Sequence, residues 1–271
     1  MFARGTQFES NRFYGFGNDT PDHDVSNTLV RRDEVVLYPS FNYAAGSHSF
    51  ISFGPVFKWN NPHVEEGSPA DVVEPFGSTE SVSQLGLHFE AFLNTAGLSG
   101  LPRNGFVVNV GATSYPAMQD ITEPFHEANV MAATYLRFGL TVLALRVGGK
   151  HVWGDVFPLH EAAFLGGFNS VRGYRWNRYA GNAAAFGGAD FRIPITRAVL
   201  FTRGDLGIHF LGDAGRVWTR DAITNDLASA GDWHIGYGGG VWFETIGQLL
   251  TLSYARGEDE GRFYFKLGKP F

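Results

Sequence analysis

Cysteine is absent from the 271-residue sequence, which excludes a disulfide framework, a thiolate metal centre and a thiol nucleophile. Also missing is any run of the roughly 18 apolar residues that a membrane helix needs, because charged or polar side chains interrupt every hydrophobic stretch. A helical membrane protein is thereby excluded. Barrel strands escape that test, since about 9 to 11 residues suffice for each and lipid-facing side chains alternate with lumen-facing ones. There is no Gly-Lys-Ser/Thr phosphate loop and no nucleophile elbow. His23 lies between Asp22 and Asp24 with no second histidine at ligand spacing, and His126, His151, His160 and His209 are scattered. No metal, no other cofactor and no enzymatic activity is therefore expected. A formal charge of -6 argues against nucleic acid as a partner.

Glycine and phenylalanine are plentiful instead. The 35 glycines and 25 phenylalanines are an excess that many short strands and tight turns would explain. Period-2 alternation recurs along the whole chain, and no stretch carries a 3.6-residue stripe long enough for a confident helix. Leu85, Leu87, Phe89 and Ala91 oppose Gly86, His88 and Glu90; Phe106, Val108, Val110 and Ala112 oppose Asn109, Gly111 and Thr113; Leu143, Leu145 and Val147 oppose Arg146, Gly148 and Lys150. Such a pattern fits a soluble sandwich as well as a membrane barrel. It predicts about twelve strands, at 10–18, 33–45, 48–60, 82–95, 105–117, 126–138, 140–154, 183–195, 200–218, 234–244, 248–257 and 262–271. Long polar links such as 19–32, 61–81 and 219–233 follow odd-numbered strands, and short ones such as 45–47, Gly139 and 245–247 mostly follow even-numbered ones, with 96–104 the longest of these. That alternation matches the extracellular loops and periplasmic turns of an up-and-down antiparallel transmembrane β-barrel, so the fold class expected is all-β.

The longest link, about 155–182, holds Leu165-Gly166-Gly167-Phe168-Asn169-Ser170-Val171-Arg172-Gly173-Tyr174, followed by Gly181-Asn182 and Ala189-Asp190-Phe191-Arg192-Ile193-Pro194. Downstream come Phe210-Leu211-Gly212-Asp213-Ala214-Gly215-Arg216-Val217-Trp218 and Gly238-Gly239-Gly240-Val241-Trp242-Phe243, and finally Phe263-Tyr264-Phe265-Lys266-Leu267-Gly268-Lys269-Pro270-Phe271. In this order over 165–271 the chain resembles the Omp85 superfamily of protein-insertion and translocation barrels, the bacterial surface antigen class. The segment 11–18, Asn-Arg-Phe-Tyr-Gly-Phe-Gly-Asn, is in addition similar to barrels fused behind a phosphoesterase-like domain.

An arginine in a glycine-flanked turn stays charged and must find carboxylates if its loop folds into a barrel lumen. Alternation puts Asp190 and Asp213 on the inward face of the next two strands. The resemblance implies that the signature Val171-Arg172-Gly173-Tyr174 latches the loop inside, with Asp213 as first partner of Arg172 and Asp190 as second. Gly236, Gly238 and Gly240 share a face and leave packing room for a plug or for curvature. Phe263, Phe265, Leu267 and Phe271 share the outward face of the last strand, where the resemblance makes Phe271 an assembly signal. Gly268 and Pro270 weaken pairing at the seam between first and last strands, which in the family is thought to open sideways.

The sequence is thus read as one barrel domain over 1–271, in a bacterial-type outer membrane, a smaller member without the family's periplasmic substrate-binding domains. It would assist insertion or translocation of polypeptide or lipid. Outer-membrane lipid, unfolded polypeptide and a fused or associated periplasmic domain are the partners implied. The alternatives are a passive membrane anchor for an N-terminal enzyme-like domain and a diffusion pore. Residues 1–20 lack the basic and apolar segments of a secretory leader, so a longer natural precursor is expected.

Overall fold

The computed structural model of the chain describes residues 2–7, 11–20, 28–73, 76–97, 101–199, 202–220, 227–228, 231–258 and 260–268. Twelve strands form the wall: β1 (Phe2–Gln7), β2 (Leu29–Tyr38), β3 (Ser49–Val64), β4 (Val82–Asn94), β5 (Gly105–Tyr115), β6 (Phe125–Phe138), β7 (Thr141–Trp153), β8 (Ala183–Val199), β9 (Arg203–Arg220), β10 (His234–Thr245), β11 (Gln248–Arg256) and β12 (Gly261–Leu267). Each pairs antiparallel with its neighbours in sequence, in one continuous sheet from β1 to β12. One short helix, α1 (Pro69–Val73), sits in the β3–β4 link.

Alternation decides which face is which. Leu87, Phe89, Phe106, Val110, Leu145 and Val147 are exposed on the outside, whereas Gln84, Thr113, Arg146, Asp190 and Asp213 are buried on the inside. Apolar side chains outward and polar side chains inward is the arrangement of a barrel in lipid, and the reverse of a soluble sandwich. The sheet curls so that distant strands meet across the interior. Lys58 of β3 and Lys150 of β7 converge on one loop carboxylate, at 2.6 Å and 3.4 Å. Among the described residues no backbone pairing joins β1 to β12.

Long links emerge at one end of the wall and short turns at the other. The β10–β11 turn is two residues, Ile246 and Gly247, both with positive φ (48° and 68°), the backbone twist that a two-residue hairpin requires. The β4–β5 link is longer, and its described residue Leu101 packs at the foot of β10 and β11. There Leu101 is buried against Trp242 and Leu249, and its N–H donates to Glu244 at 2.8 Å. The β11–β12 link, at the long-link end, is itself short, Gly257 to Glu260.

The first strand differs from the sequence expectation. Residues 2–7 form the wall strand, and among the described residues 11–18 only Asn11–Arg12 pair as a strand, with β2. Gly15 and Gly17 have φ of 109° and 105°, which breaks the extended run, while Phe13 and Tyr14 are buried inside. The expected strand 33–45 begins at Leu29 and is interrupted at Pro39-Ser40 before Phe41–Gly46 continues along β3, consistent with proline lacking an N–H for the ladder.

Candidate functional site

The β7–β8 link enters the barrel instead of standing in solvent. Its inner part is built from a 3-10 turn (Leu159–Glu161) and two short strands, Ala163–Leu165 and Tyr179–Gly181, paired with each other. Leu165, Val171, Tyr174 and Tyr179 bury against Ala184 of β8 and Val217 of β9. Full burial of an aliphatic side chain contributes about 1.5 to 3 kcal/mol, so this cluster alone gives the loop a strong reason to stay inside.

Each residue of the signature has its own anchor. Val171 is wholly buried in that cluster. Arg172 donates from Nε to Asp213 at 2.6 Å, from Nη2 to Asp213 at 2.8 Å and to Asp190 at 2.7 Å, and from its backbone N–H to Asp213 at 3.1 Å. Gly173, at φ 101°, donates its N–H to the Tyr264 hydroxyl of β12 at 2.8 Å. The Tyr174 hydroxyl donates to the Ile235 carbonyl of β10 at 3.1 Å and accepts the Glu258 N–H at 3.3 Å. Four consecutive residues therefore touch β8, β9, β10 and β12. Gly236 of β10 makes this approach possible: a Cβ there would collide with the Arg172 carbonyl oxygen. At Gly238 and Gly240 a Cβ would instead strike the backbone of β11, so these two glycines permit close strand approach.

Two further arginines complete the cluster. Arg146 of β7 binds Asp213 at 3.0 Å and holds the loop carbonyls of Ser170 (2.8 Å) and Phe168 (3.1 Å). Arg192 of β8 donates to Asp190 at 3.2 Å. Burial opposes the charge on Arg172, but its bonds to Asp213 and Asp190 hold it protonated more firmly than in water. Such a buried network adds little net stability over an apolar filling, yet removing one member strands the others; its effect is to fix one loop position.

A second attachment lies on the far wall, and the sequence reading missed it. Glu161, fully buried, accepts Lys58 Nζ at 2.6 Å and Gln84 Nε2 at 2.5 Å on Oε1, and Lys150 Nζ lies 3.4 Å from Oε2. Lys150 also pairs with Glu127 of β6 at 2.6 Å. Burial alone would raise the Glu161 carboxyl, but Lys58 and Lys150 overcome it and hold it well below the usual carboxylate range. Neighbouring His160 is pushed down to about 3 by burial, which outweighs the attraction of Glu161 and is reinforced by Arg32, Lys58 and Lys150. The available signal was parity. Lys58, Gln84, Glu127, Arg146 and Lys150 all fall on inward positions of their strands, where an ionisable group needs a partner.

The segment 11–20 closes the long-link end of the lumen. Asn18 spans both backbone groups of Val217 on β9, accepting its N–H at 3.0 Å and donating to its carbonyl at 2.9 Å. Gly17 donates its N–H to Ala180 of the loop at 2.9 Å, and Arg178 donates to the Thr20 carbonyl at 2.7 Å.

Of the seam residues, Gly268 lies just past β12 with φ 113°, and Pro270 and Phe271 fall outside the described residues, as does His23. Phe263, Phe265 and Leu267 are exposed on the outer face. Among the described residues no group of three or more His, Asp and Glu side chains is arranged to hold a metal ion.

Wall, alternation and internal loop together define an outer-membrane-type β-barrel whose lumen is filled by one of its own links. The chain belongs to the Omp85 superfamily, whose domain matches residues 12–271. A solved structure similar to it is the crystal structure of BamA from Haemophilus ducreyi lacking POTRA domains 1-3, at 15% identity and a TM-score of 0.67, covering 88% of this chain and 54% of that one. The chain thus spans about half the length of that solved chain. No curated protein matches the sequence.

Proposed function

We propose that residues 1–271 act as one barrel domain in a bacterial-type outer membrane, with the long-link end outward, and assist the insertion or translocation of polypeptide or lipid. The observation that carries this reading is the loop signature held on the inner wall by Arg172, Asp190 and Asp213. A lumen filled in this way disfavours a diffusion pore and leaves the β1/β12 boundary as the route for a passenger. Unpaired edge strands offer backbone donors and acceptors to an incoming strand, which cannot leave its own unsatisfied in hydrocarbon. Gly268, Pro270 and Phe271 mark that boundary, Pro270 by lacking an N–H and Phe271 as the assembly signal. The reading assigns no catalytic residue. Outer-membrane lipid and unfolded polypeptide are its partners, with a fused or associated periplasmic domain as a further one.

The test is reconstitution into liposomes with an unfolded barrel polypeptide, whose insertion is timed by protease protection. The parent should speed insertion, and a cysteine pair engineered across β1 and β12 should abolish the gain on oxidation, a clean test in a chain without cysteine. No gain in the parent would favour a passive anchor. Steady bilayer conductance in the parent would favour a pore.

A further inference from the structure

At the short-turn end the lumen opens into a vestibule of about 270 Å³. Its lining is amphipathic. Arg103, Arg192 and Arg197 contribute guanidinium groups, and Leu101, Val142 and Trp242 are among its apolar walls. Arg192 already donates to Asp190 at 3.2 Å. Arg103 and Arg197 are held more loosely. They share Asp205 at 3.9 Å and 3.4 Å, Arg103 lies 3.9 Å from Glu244, and their side chains are 48% and 83% exposed. Among the described residues that line it, three arginines thus face one lining carboxylate, Asp205, with Glu244 within reach of Arg103.

A bulge in β8 creates this arrangement. The β8–β9 register runs Arg192 to His209 and Pro194 to Gly207, then slips by one residue so that Thr196 meets Leu206 and Arg197 meets Asp205. Without the extra residue, Arg197 would share the outward face with Phe191 and Ile193. With it, the guanidinium swings to the lumen face opposite Asp205, and Ile195 is left at the rim, 61% exposed. Leu140 of the β6–β7 turn stands beside it, 76% exposed, and both line the vestibule mouth.

We propose that the vestibule binds the phosphate of an anionic phospholipid from the adjoining leaflet. Arg103 and Arg197 take the phosphate oxygens, while Leu140 and Ile195 take the first methylenes of the acyl chains. Charge complementarity and continuity with the lipid-facing surface favour this occupant, because the arginines and the exposed apolar side chains meet at one opening. The volume lies near the small end of ligand pockets, about 300 Å³, which suits a headgroup and not a whole lipid. The inference rests on the membrane-barrel reading.

The test uses the full chain folded in detergent, with native mass spectrometry after titration of phosphatidylglycerol or phosphatidylcholine of identical acyl chains. The parent should retain phosphatidylglycerol in preference. The double variant Arg103→Gln/Arg197→Gln should lose about tenfold or more of that retention, as expected from removing two charge-assisted contacts, with phosphatidylcholine unchanged. Equal retention of phosphatidylglycerol by parent and variant, or of both lipids by the parent, would overturn the proposal. Displacement by inorganic phosphate at equal concentration would make the source a free anion, and displacement by a peptide with a free aromatic carboxyl terminus would make it polypeptide; either excludes lipid. A heat-shifted folded band must accompany each sample. Its absence in the variant alone moves the comparison to parent lipid preference, and its absence in the parent would overturn the barrel reading together with this proposal.

Discussion

Arg172 meets Asp213 three times, through Nε at 2.6 Å, Nη2 at 2.8 Å and its own backbone N–H at 3.1 Å. A lysine could supply the charge but not the fork, and the backbone contact requires the loop itself to lie against β9. This contact therefore reports the position of the chain as well as that of the side chain.

Replacing Arg172 with alanine leaves Asp190 and Asp213 buried opposite Arg146 and Arg192 alone, and the expected loss is about 3 to 5 kcal/mol. In detergent, the parent's folded band should survive to higher temperature than that of Arg172→Ala, and Arg172→Lys should fall between them. The variant should also conduct ions in planar bilayers. Parent-like melting and parent-like conductance would show that the ion pairs do not hold the loop.

The far attachment should respond to acid in two windows. His160 is pushed down to about 3 from an unfolded value near 6.5, so its contribution is complete above the unfolded value and is lost as pH falls toward the folded one. Glu161 is also depressed, from about 4.3 in the unfolded chain, and its contribution survives until pH drops below that value and through its folded pKa. Urea midpoints should decline between about pH 6.5 and 3 in the parent. His160→Gln should flatten this slope across the window, and Glu161→Gln only below about pH 4.3. Slopes unchanged in both variants would remove the acid response from this attachment.

Gly236→Ala places a methyl against the Arg172 carbonyl, whereas Gly212→Ala on the outer face of β9 meets nothing within 4 Å. Overpacking typically costs about 1 to 3 kcal/mol. Side-by-side thermal scans should show the first variant unfolding earlier and the second unchanged; equal behaviour would mean that the loop does not press on β10.

Asn18→Ala removes both of its bonds to Val217, an expected loss of about 1 to 3 kcal/mol. Limited proteolysis should then cut within 11–20 faster than in the parent, while the wall strands stay protected. An unchanged digestion rate would show that Phe13 and Tyr14 suffice to hold the segment.

Much of the wall is legible because alternation has only two phases. Once Leu85, Leu87 and Phe89 are taken as outward, the inward positions follow along the strand, and Arg146, Asp190 and Asp213 can be placed without coordinates. Parity fails where the backbone breaks its own period. The bulge between Pro194 and Thr196 moves Arg197 to the inner face, and Gly15 and Gly17 carry a segment that alternates like a strand into the lumen. Glu161 is beyond such reasoning for a different reason: it sits on a link, where no period constrains direction, and its partners Lys58 and Gln84 lie far away in sequence.

The two attachments of the internal loop give the barrel a mechanical property. Glu161 is tied to β3 and β4, nearly opposite the β8 and β9 that hold Arg172 in the order of the twelve strands, with Lys150 of β7 as a third contact beside β8. The loop thus behaves as a tie rod across a hoop. Radial swelling of the wall loads both ion-pair clusters in tension, whereas sliding at the β1/β12 boundary, where no pairing joins the described residues, loads neither, so the stiffness of this barrel is directional and its softest motion lies along its circumference.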